Sequence, residues 1–254
     1  MIGLDFPLKP EWIQVVLKRW EPEQPITRLI ERSLAEAMPE LSGEKTRRNS
    51  LSILLRMFVP TAANSRMTAA QNIWASYSAL QSLQTLAPAY LARIIAESEV
   101  AQVLSQYITQ RYQPGNVISS SGVRGAAVGK FGERKVVMNA ASAFLTTLQA
   151  FSVLQPASKR GEYIIQPPMP VSPDIFPLLV WAWWQQNPVP QIEPDMFKTL
   201  PPYQWLAQDE FAKCWRRYQP DLWSISERLD NQMITVKYPD PLDFEKKMIA
   251  VTGV

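Results

Sequence analysis

Histidine is absent from this 254-residue sequence, and cysteine occurs once, at Cys214. Zinc sites depend on Cys and His ligands, so the composition argues against a zinc finger or a hydrolytic zinc centre. A Ser-His-Asp or Cys-His nucleophile is excluded, because both need an imidazole. One cysteine cannot form an intramolecular disulfide, which is typical of a reducing compartment.

Long apolar runs are also missing. The densest run covers 175–184 and contains Pro177, whereas a membrane-spanning helix needs about 20 apolar residues. The N-terminus carries Asp5, Lys9 and Glu11 among prolines, unlike a signal peptide. We therefore predict a soluble, cytoplasmic protein without a membrane partner.

The net charge of +3 conceals an uneven distribution. Residues 42–66 carry a net charge of +4 and residues 121–161 a net charge of +5, so the rest of the chain is acidic. Concentrated positive charge on a nearly neutral protein is the expected footprint of a polyanion site. The alternative is a solvated basic face without a partner.

Apolar residues recur at helical spacing through most of residues 1–112, which predicts a helical domain. The predicted helices cover 11–20, 26–38, 42–58, 64–86 and 89–112. Ser42 is the candidate N-cap of the third helix, Pro88 marks the start of the last, and residues 25–60 form a possible first helix-turn-helix.

Residues 113–166 have the outline of a winged helix-turn-helix. The turn at 114–116 leads into a short apolar strand and a helix through about Lys130. Phe131-Gly132 predicts the next turn, and the helix from Arg134 has a regular apolar face. A hairpin around 158–161 follows as the wing.

Residues 167–254 are predicted to form a small α+β module rich in Pro and Trp. The pattern indicates a helix over 203–218, a β-hairpin over 222–238 around Asp230-Asn231, and a short helix from Pro241. The predicted fold class is therefore mainly α, with a helical N-terminal region, a central winged helix-turn-helix and this C-terminal module.

In a winged helix, the second helix of the motif enters the major groove, and its first turn meets base edges and phosphates. Basic side chains can bind phosphate or guanine, and Asn can pair with adenine. The residues predicted to bind nucleic acid are Arg124, Lys130, Arg134, Lys135, Asn139, Lys159 and Arg160. A winged helix that packs only against a protein partner is the alternative.

Three further basic residues, Lys45, Arg47 and Arg48, lie near the start of the third helix. The helix dipole disfavours cations there by a few tenths of a kcal/mol each, on the order of its usual effect. A helix start with this composition is predicted to recruit phosphates, which its N–H groups also favour. A solvated helix start is the alternative.

The cluster Trp181, Trp183 and Trp184 cannot all face one core from a single helix, because consecutive residues point about 100° apart. Either the helix is buried all round, or part of the cluster is an apolar patch that binds a protein partner. Cys214 lies in an amphipathic pattern and is interpreted as a packing residue.

Enzymatic alternatives have weak support in the sequence. The run from Gly125 to Phe131 resembles a phosphate loop but has three spacer residues instead of four and lacks Ser/Thr after Lys130. A metal-dependent nuclease would need clustered carboxylates near a lysine. The C-terminal hairpin offers Asp221, Glu227, Asp230 and Lys237, with Thr235 where a carboxylate would be expected.

The run Gly43 to Asn49, the helices over 64–112 and the winged-helix outline over 114–166 resemble the BrxA family, across about 25–165. BrxA is the small all-helical DNA-binding subunit of BREX phage-defence systems. The resemblance implies a non-enzymatic subunit that binds double-stranded DNA within a multi-protein bacterial defence complex. No cofactor is expected. A structural adaptor between proteins and a metal-dependent nuclease are the two alternatives.

Overall fold

The computed structural model describes residues 4–22, 24–59, 72–228 and 231–253. These residues are mainly α-helical, which confirms the predicted fold class. The α-helices are α1 (Pro10–Lys18), α2 (Ile26–Glu36), α3 (Glu44–Phe58), α4 (Ile73–Leu80), α5 (Leu83–Glu97), α6 (Glu99–Arg111), α7 (Ser120–Phe131), α8 (Lys135–Ala150), α9 (Phe176–Gln186), α10 (Pro194–Thr199), α11 (Phe211–Arg217) and α12 (Pro241–Thr252).

Two small antiparallel sheets of three strands each and three 3-10 turns (Pro173–Ile175, Pro201–Tyr203 and Gln208–Glu210) complete the described structure. The first sheet has the order β1-β3-β2 and the second has the order β4-β6-β5. Their strands are β1 (Val117–Ser119), β2 (Leu154–Pro156), β3 (Glu162–Ile165), β4 (Gln191–Ile192), β5 (Trp223–Arg228) and β6 (Asn231–Val236).

The predicted long helices of the N-terminal region are interrupted. The described part of the predicted 64–86 helix ends at Leu80, and 64–71 lie outside the described residues. Ser82 then caps α5 by accepting a hydrogen bond from the Thr85 N–H, and Ser98 caps α6 in the same way. The predictions of continuous helices over 64–86 and 89–112 are therefore wrong. In each range, a serine side chain accepts from a free N–H group where a new helix begins.

Two predicted helix starts are also corrected. Pro88 lies inside α5, which already begins at Leu83. The N-cap of α3 is Gly43 and not Ser42, and no side chain caps this helix. Residue type alone thus misplaces both helix starts.

The central unit, which we define as residues 99–165, contains α6, β1, α7, α8, β2 and β3 in that order. Helices α6, α7 and α8 pack against one another, and β3 pairs with β1 on one side and β2 on the other. Three residues, 132–134, join α7 to α8. This order and the three-residue turn match the predicted outline, and the assignment as a winged helix-turn-helix stays a prediction.

The C-terminal part contains the predicted hairpin as β5 and β6, and the predicted final helix as α12. The predicted helix over 203–218 is wrong in its first half. There, the backbone around Leu206 runs beside Met169, whose N–H donates to the Trp205 carbonyl and whose carbonyl accepts from the Ala207 N–H, both at 2.8 Å. These bonds hold the chain extended at Leu206, a 3-10 turn follows at Gln208–Glu210, and α11 begins at Phe211.

Buried apolar side chains form one connected cluster that extends from Leu4 to Met248 and includes all three predicted domains. Aromatic rings dominate its C-terminal end, where Phe176 lies edge-on to Trp215 at 4.9 Å between ring centroids. Cys214 is buried here, and burial raises the pKa of its thiol to about 11. The division into three domains stays a prediction.

Candidate nucleic-acid interface

Helix α8 presents one exposed face and buries the other. Its inner face carries Val137, Ala141, Phe144 and Leu148, all at most 3% exposed. These residues recur every three or four positions, so they fix the rotation of the helix against α6 and α7. Residues 132–136, which include the turn before α8, are all exposed. The start of α8 is therefore accessible.

Glycine allows this turn to form. Gly132 has φ of +81°, a left-handed conformation that glycine adopts at little cost, and its N–H donates to the Val128 carbonyl at 2.8 Å. Arg134 then serves as the N-cap of α8, and its guanidinium donates to the Phe131 carbonyl at 3.0 Å. The carbonyl contact holds this cation beside the first turn of α8.

The outer face of α8 is lined by short or polar side chains. Lys135, Asn139 and Thr146 are exposed, and Ser142 is half-buried. They lie at i, i+4, i+7 and i+11, so they form one stripe along the helix. Of these four residues, the sequence pattern predicts only Lys135 and Asn139 as contacts. The same helical spacing, applied to the outer face, also indicates Ser142 and Thr146.

The wing loop, which we define as residues 157–161 between β2 and β3, carries two further cations. Lys159 and Arg160 are exposed. Lys159 pairs with Glu162 at 3.0 Å, but its side chain is 78% exposed, and such a surface pair contributes at most about 1 kcal/mol. Exchange of Glu162 for a phosphate would therefore cost little.

The wing loop and the start of α8 lie at opposite ends of α7. The Gly161 carbonyl accepts from the Ser120 N–H at 2.7 Å, which places the loop beside the first turn of α7. Three residues separate the start of α8 from the end of α7 at Phe131. Since α7 has 12 residues, about 18 Å separates the two basic groups along its axis.

Helix α7 carries the remaining predicted cations of the central unit. Lys130 is exposed in its last turn, next to the turn into α8. Arg124 is half-buried, and its Nε is buried without a hydrogen-bond partner. Of these two cations on α7, only Lys130 is as exposed as the cations on α8 and the wing loop.

The predicted cations of the first basic segment, Lys45, Arg47 and Arg48, lie on α3 and not on the central unit. Arg47 is half-buried and donates to the Leu34 carbonyl at 3.2 Å, so it ties α3 to α2. Arg48 pairs with Glu44 at 2.8 Å, and Lys45 is exposed. Helix α3 packs against α2 and α5, and no principal packing between described elements joins it to α7 or α8. Helix α3 therefore has different principal packing partners from α8.

The α2–α3 pair also differs from the α7–α8 pair. Seven residues, 37–43, join α2 to α3, whereas a helix-turn-helix uses three or four. The possible first helix-turn-helix over 25–60 thus has the two helices but a longer connection. The phosphate contacts predicted for Lys45, Arg47 and Arg48 stay a prediction.

The tryptophan cluster belongs mainly to the core. Trp181 and Trp184 are 1% and 3% exposed, and the Trp184 indole donates to the Val189 carbonyl at 2.9 Å. The prediction that Trp181 and Trp184 bind a protein partner is therefore wrong, because α9 is buried on most of its circumference. Trp183 is half-buried against the edge of Phe197, with ring centroids 5.8 Å apart.

The C-terminal carboxylates are far apart. Asp221 and Lys237 lie at one end of the hairpin, where the Lys237 N–H donates to the Leu222 carbonyl. Glu227 lies near the other end of β5, five residues beyond Leu222 and so roughly 17 Å away along an extended strand. Asp230 lies outside the described residues. Among the residues with a described placement, no three Cys, Asp or Glu side chains are grouped to hold a metal.

Comparison with known proteins gives one structural likeness. No family model matches the chain, and no curated protein is significantly similar to it in sequence. The chain is similar to a solved structure described as "SspB crystal structure", with a TM-score of 0.62 and 10% identity over 97% of this chain and 85% of that chain. At this identity the likeness shows the fold alone.

No helix within the described ranges is both long and apolar enough to cross a bilayer.

Proposed function

We propose that this protein binds double-stranded DNA, with the exposed face of α8 in the major groove and the wing loop in the neighbouring minor groove. The observation that carries the proposal is the accessible, basic start of α8 next to a polar stripe. An α-helix fits the major groove of B-DNA, which is about 12 Å wide. Asn139 is exposed on this face, and an asparagine amide can pair with adenine.

The spacing of the two basic groups supports this docking. One helical turn of DNA is about 34 Å, so the centres of adjacent major and minor grooves on one face are about 17 Å apart. The separation of about 18 Å along α7 is close to this value. One rigid unit can therefore place Arg134 and Lys135 at one groove while Lys159 and Arg160 reach the next.

Phosphate contacts supply most of the binding free energy in this proposal. The accessible cations Lys130, Arg134, Lys135, Lys159 and Arg160 are exposed in the free protein, so they can bind phosphates without rearrangement of the core. Each neutralised phosphate releases condensed counterions from DNA, which favours binding at low salt. Binding is thus expected to weaken as salt increases.

We further propose that the protein acts as a non-enzymatic, cytoplasmic subunit of a multi-protein bacterial defence complex. The resemblance of its layout to the BrxA family supports this assignment. Within it, the central unit contacts DNA and other helical surfaces contact protein subunits. Neither a metal nor an organic cofactor has a role.

The test compares two variants of equal charge. In the interface variant, Arg134, Lys135, Lys159 and Arg160 are replaced by Ala. In the control variant, four exposed cations outside the central unit are replaced by Ala: Arg28, Lys213, Arg216 and Lys246. Affinity for a duplex of about 30 base pairs is measured by fluorescence anisotropy at about 150 mM salt.

We expect the interface variant to lose affinity by a factor on the order of 10² to 10³. The control variant should stay close to wild type. Equal losses in the two variants would show that only net charge matters, and unchanged affinity in the interface variant would refute the proposal. Wild-type protein without affinity for the duplex would favour the adaptor alternative.

A further inference from the structure

Val136 is an apolar side chain on the otherwise polar accessible face of α8. It is 50% exposed, and it belongs to a small group of large apolar side chains that are exposed in the described chain. The members of this group are Ile26, Leu80, Val117, Val136 and Met196. Val136 is the member that lies on α7 or α8.

Local structure does not account for a valine at this position. Val137, the next residue, supplies the inner-face contact of this turn and is 3% exposed. Valine is also a weaker helix former than alanine, because its β-branch restricts the side chain in a helix. Val136 thus contributes neither core packing nor helix propensity.

The neighbours of Val136 on the helix surface indicate what it contacts. Asn139 lies three residues further along α8, so the two side chains are adjacent on one face. Lys135 precedes it, and both Lys135 and Asn139 are exposed. The side chains of this face thus place an apolar group between a cation and an amide. Such a face is complementary to a partner surface that is polar except for one methyl group.

We propose that Val136 is a specificity-determining residue that contacts the 5-methyl group of thymine in the major groove. This inference rests on the proposed DNA binding. The thymine methyl group is the apolar feature of the major-groove edge of an A·T pair. Asn139 can pair with adenine, so Val136 and Asn139 together select A·T pairs.

The test removes the methyl group from the DNA and the apolar group from the protein. Wild type, Val136→Ser and Val117→Ser are titrated with an alternating A·T duplex and with the same duplex in which deoxyuridine replaces every thymidine. Val117 is the matched control, because it is 49% exposed on β1. Circular dichroism verifies that both variants fold.

We expect wild type and Val117→Ser to bind the thymine duplex about fourfold more tightly than the uracil duplex, the effect of one buried methyl group. Val136→Ser should bind the two duplexes equally. A preference that persists in Val136→Ser, or that is lost in Val117→Ser, would overturn the inference. Equal binding of both duplexes by wild type would overturn it too, while DNA binding itself would stand. Absence of binding to either duplex would instead overturn the proposed function together with the inference.

A second pair of duplexes distinguishes thymine from 5-methylcytosine, which carries the same methyl group. Wild type is titrated with an alternating G·C duplex that contains cytosine or 5-methylcytosine. Equal affinity for these two duplexes supports recognition of thymine beside adenine. A gain of about fourfold with 5-methylcytosine would overturn the assignment to thymine and to A·T pairs.

Discussion

Glu245 carries a buried carboxylate in α12, and its replacement is expected to change the pH dependence of folding. The residue is 1% exposed, and neither carboxylate oxygen has a hydrogen-bond partner in the structure. Helix α12 packs against α9, and its Phe244 contacts Trp184. Burial without a compensating cation raises the pKa of Glu245 from 4.5 to about 7.

The size and sign of the effect follow from this shift. Between pH 4.5 and about 7 the folded protein keeps the proton that the unfolded chain releases. The free energy of unfolding therefore falls as pH rises through this window and is constant above it. A shift of this size corresponds to about 3 kcal/mol, at about 1.4 kcal/mol per pH unit.

The assay is urea unfolding, followed by tryptophan fluorescence, of wild type and Glu245→Gln between about pH 5 and pH 8. The glutamine variant keeps the shape of the side chain without its charge. Its free energy of unfolding should exceed that of wild type by about 3 kcal/mol above pH 7 and by progressively less toward pH 5. Asp243→Asn, on the exposed side of α12, is the control and should change stability by less than about 0.5 kcal/mol. A difference between wild type and Glu245→Gln that does not vary with pH would refute the reasoning.

Three further changes test local features of the fold. Gly125→Ala should raise the free energy of unfolding by about 1 kcal/mol, because an added Cβ meets no atom within 4 Å. Gly132→Ala should lower it by about 1 kcal/mol, because φ there is +81°. Asn72→Ala should lower it by roughly 1 to 2 kcal/mol, since buried Asn72 caps α4 and donates to the Phe58 carbonyl at 3.1 Å. Thermal and urea unfolding measure all three changes. A loss of stability in Gly125→Ala, or a gain in Gly132→Ala, would contradict the assigned helix and turn geometry.

The sequence predicted those elements in which local patterning and tertiary structure agree. Helix α8 combines a regular apolar face with a glycine turn before it, and the C-terminal hairpin alternates around a turn. Where apolar spacing continued across a break, prediction failed. The pattern runs through Ser82 and Ser98, and only the capping hydrogen bonds of these serines show that new helices begin there.

Tertiary pairing explains the other main difference. The segment around Leu206 has helical spacing in the sequence, but it pairs with Met169, far away in the chain. A linear pattern does not contain such a contact. The burial of Trp181 and Trp184 is not predictable for a similar reason, because a linear pattern does not show which elements cover α9.

The candidate interface was only partly predictable. Charge clustering identified the cations at the start of α8 and on the wing loop, because charge is visible in sequence alone. Burial distinguished Arg47, which binds a carbonyl of α2, from exposed cations of the same segment. The exposure of Val136 became visible only when the rotation of α8 was known.

The salt dependence of DNA binding tests the central claim most directly. Affinity for one duplex is measured between about 50 and 200 mM salt for wild type and for the variant with Ala at Arg134, Lys135, Lys159 and Arg160. With about five phosphates neutralised, the slope of log affinity against log salt is expected to be near −4.5 for wild type. Loss of four phosphate contacts should bring it to about −0.9. Equal slopes for the two proteins would contradict the claim that these four side chains bind DNA phosphates.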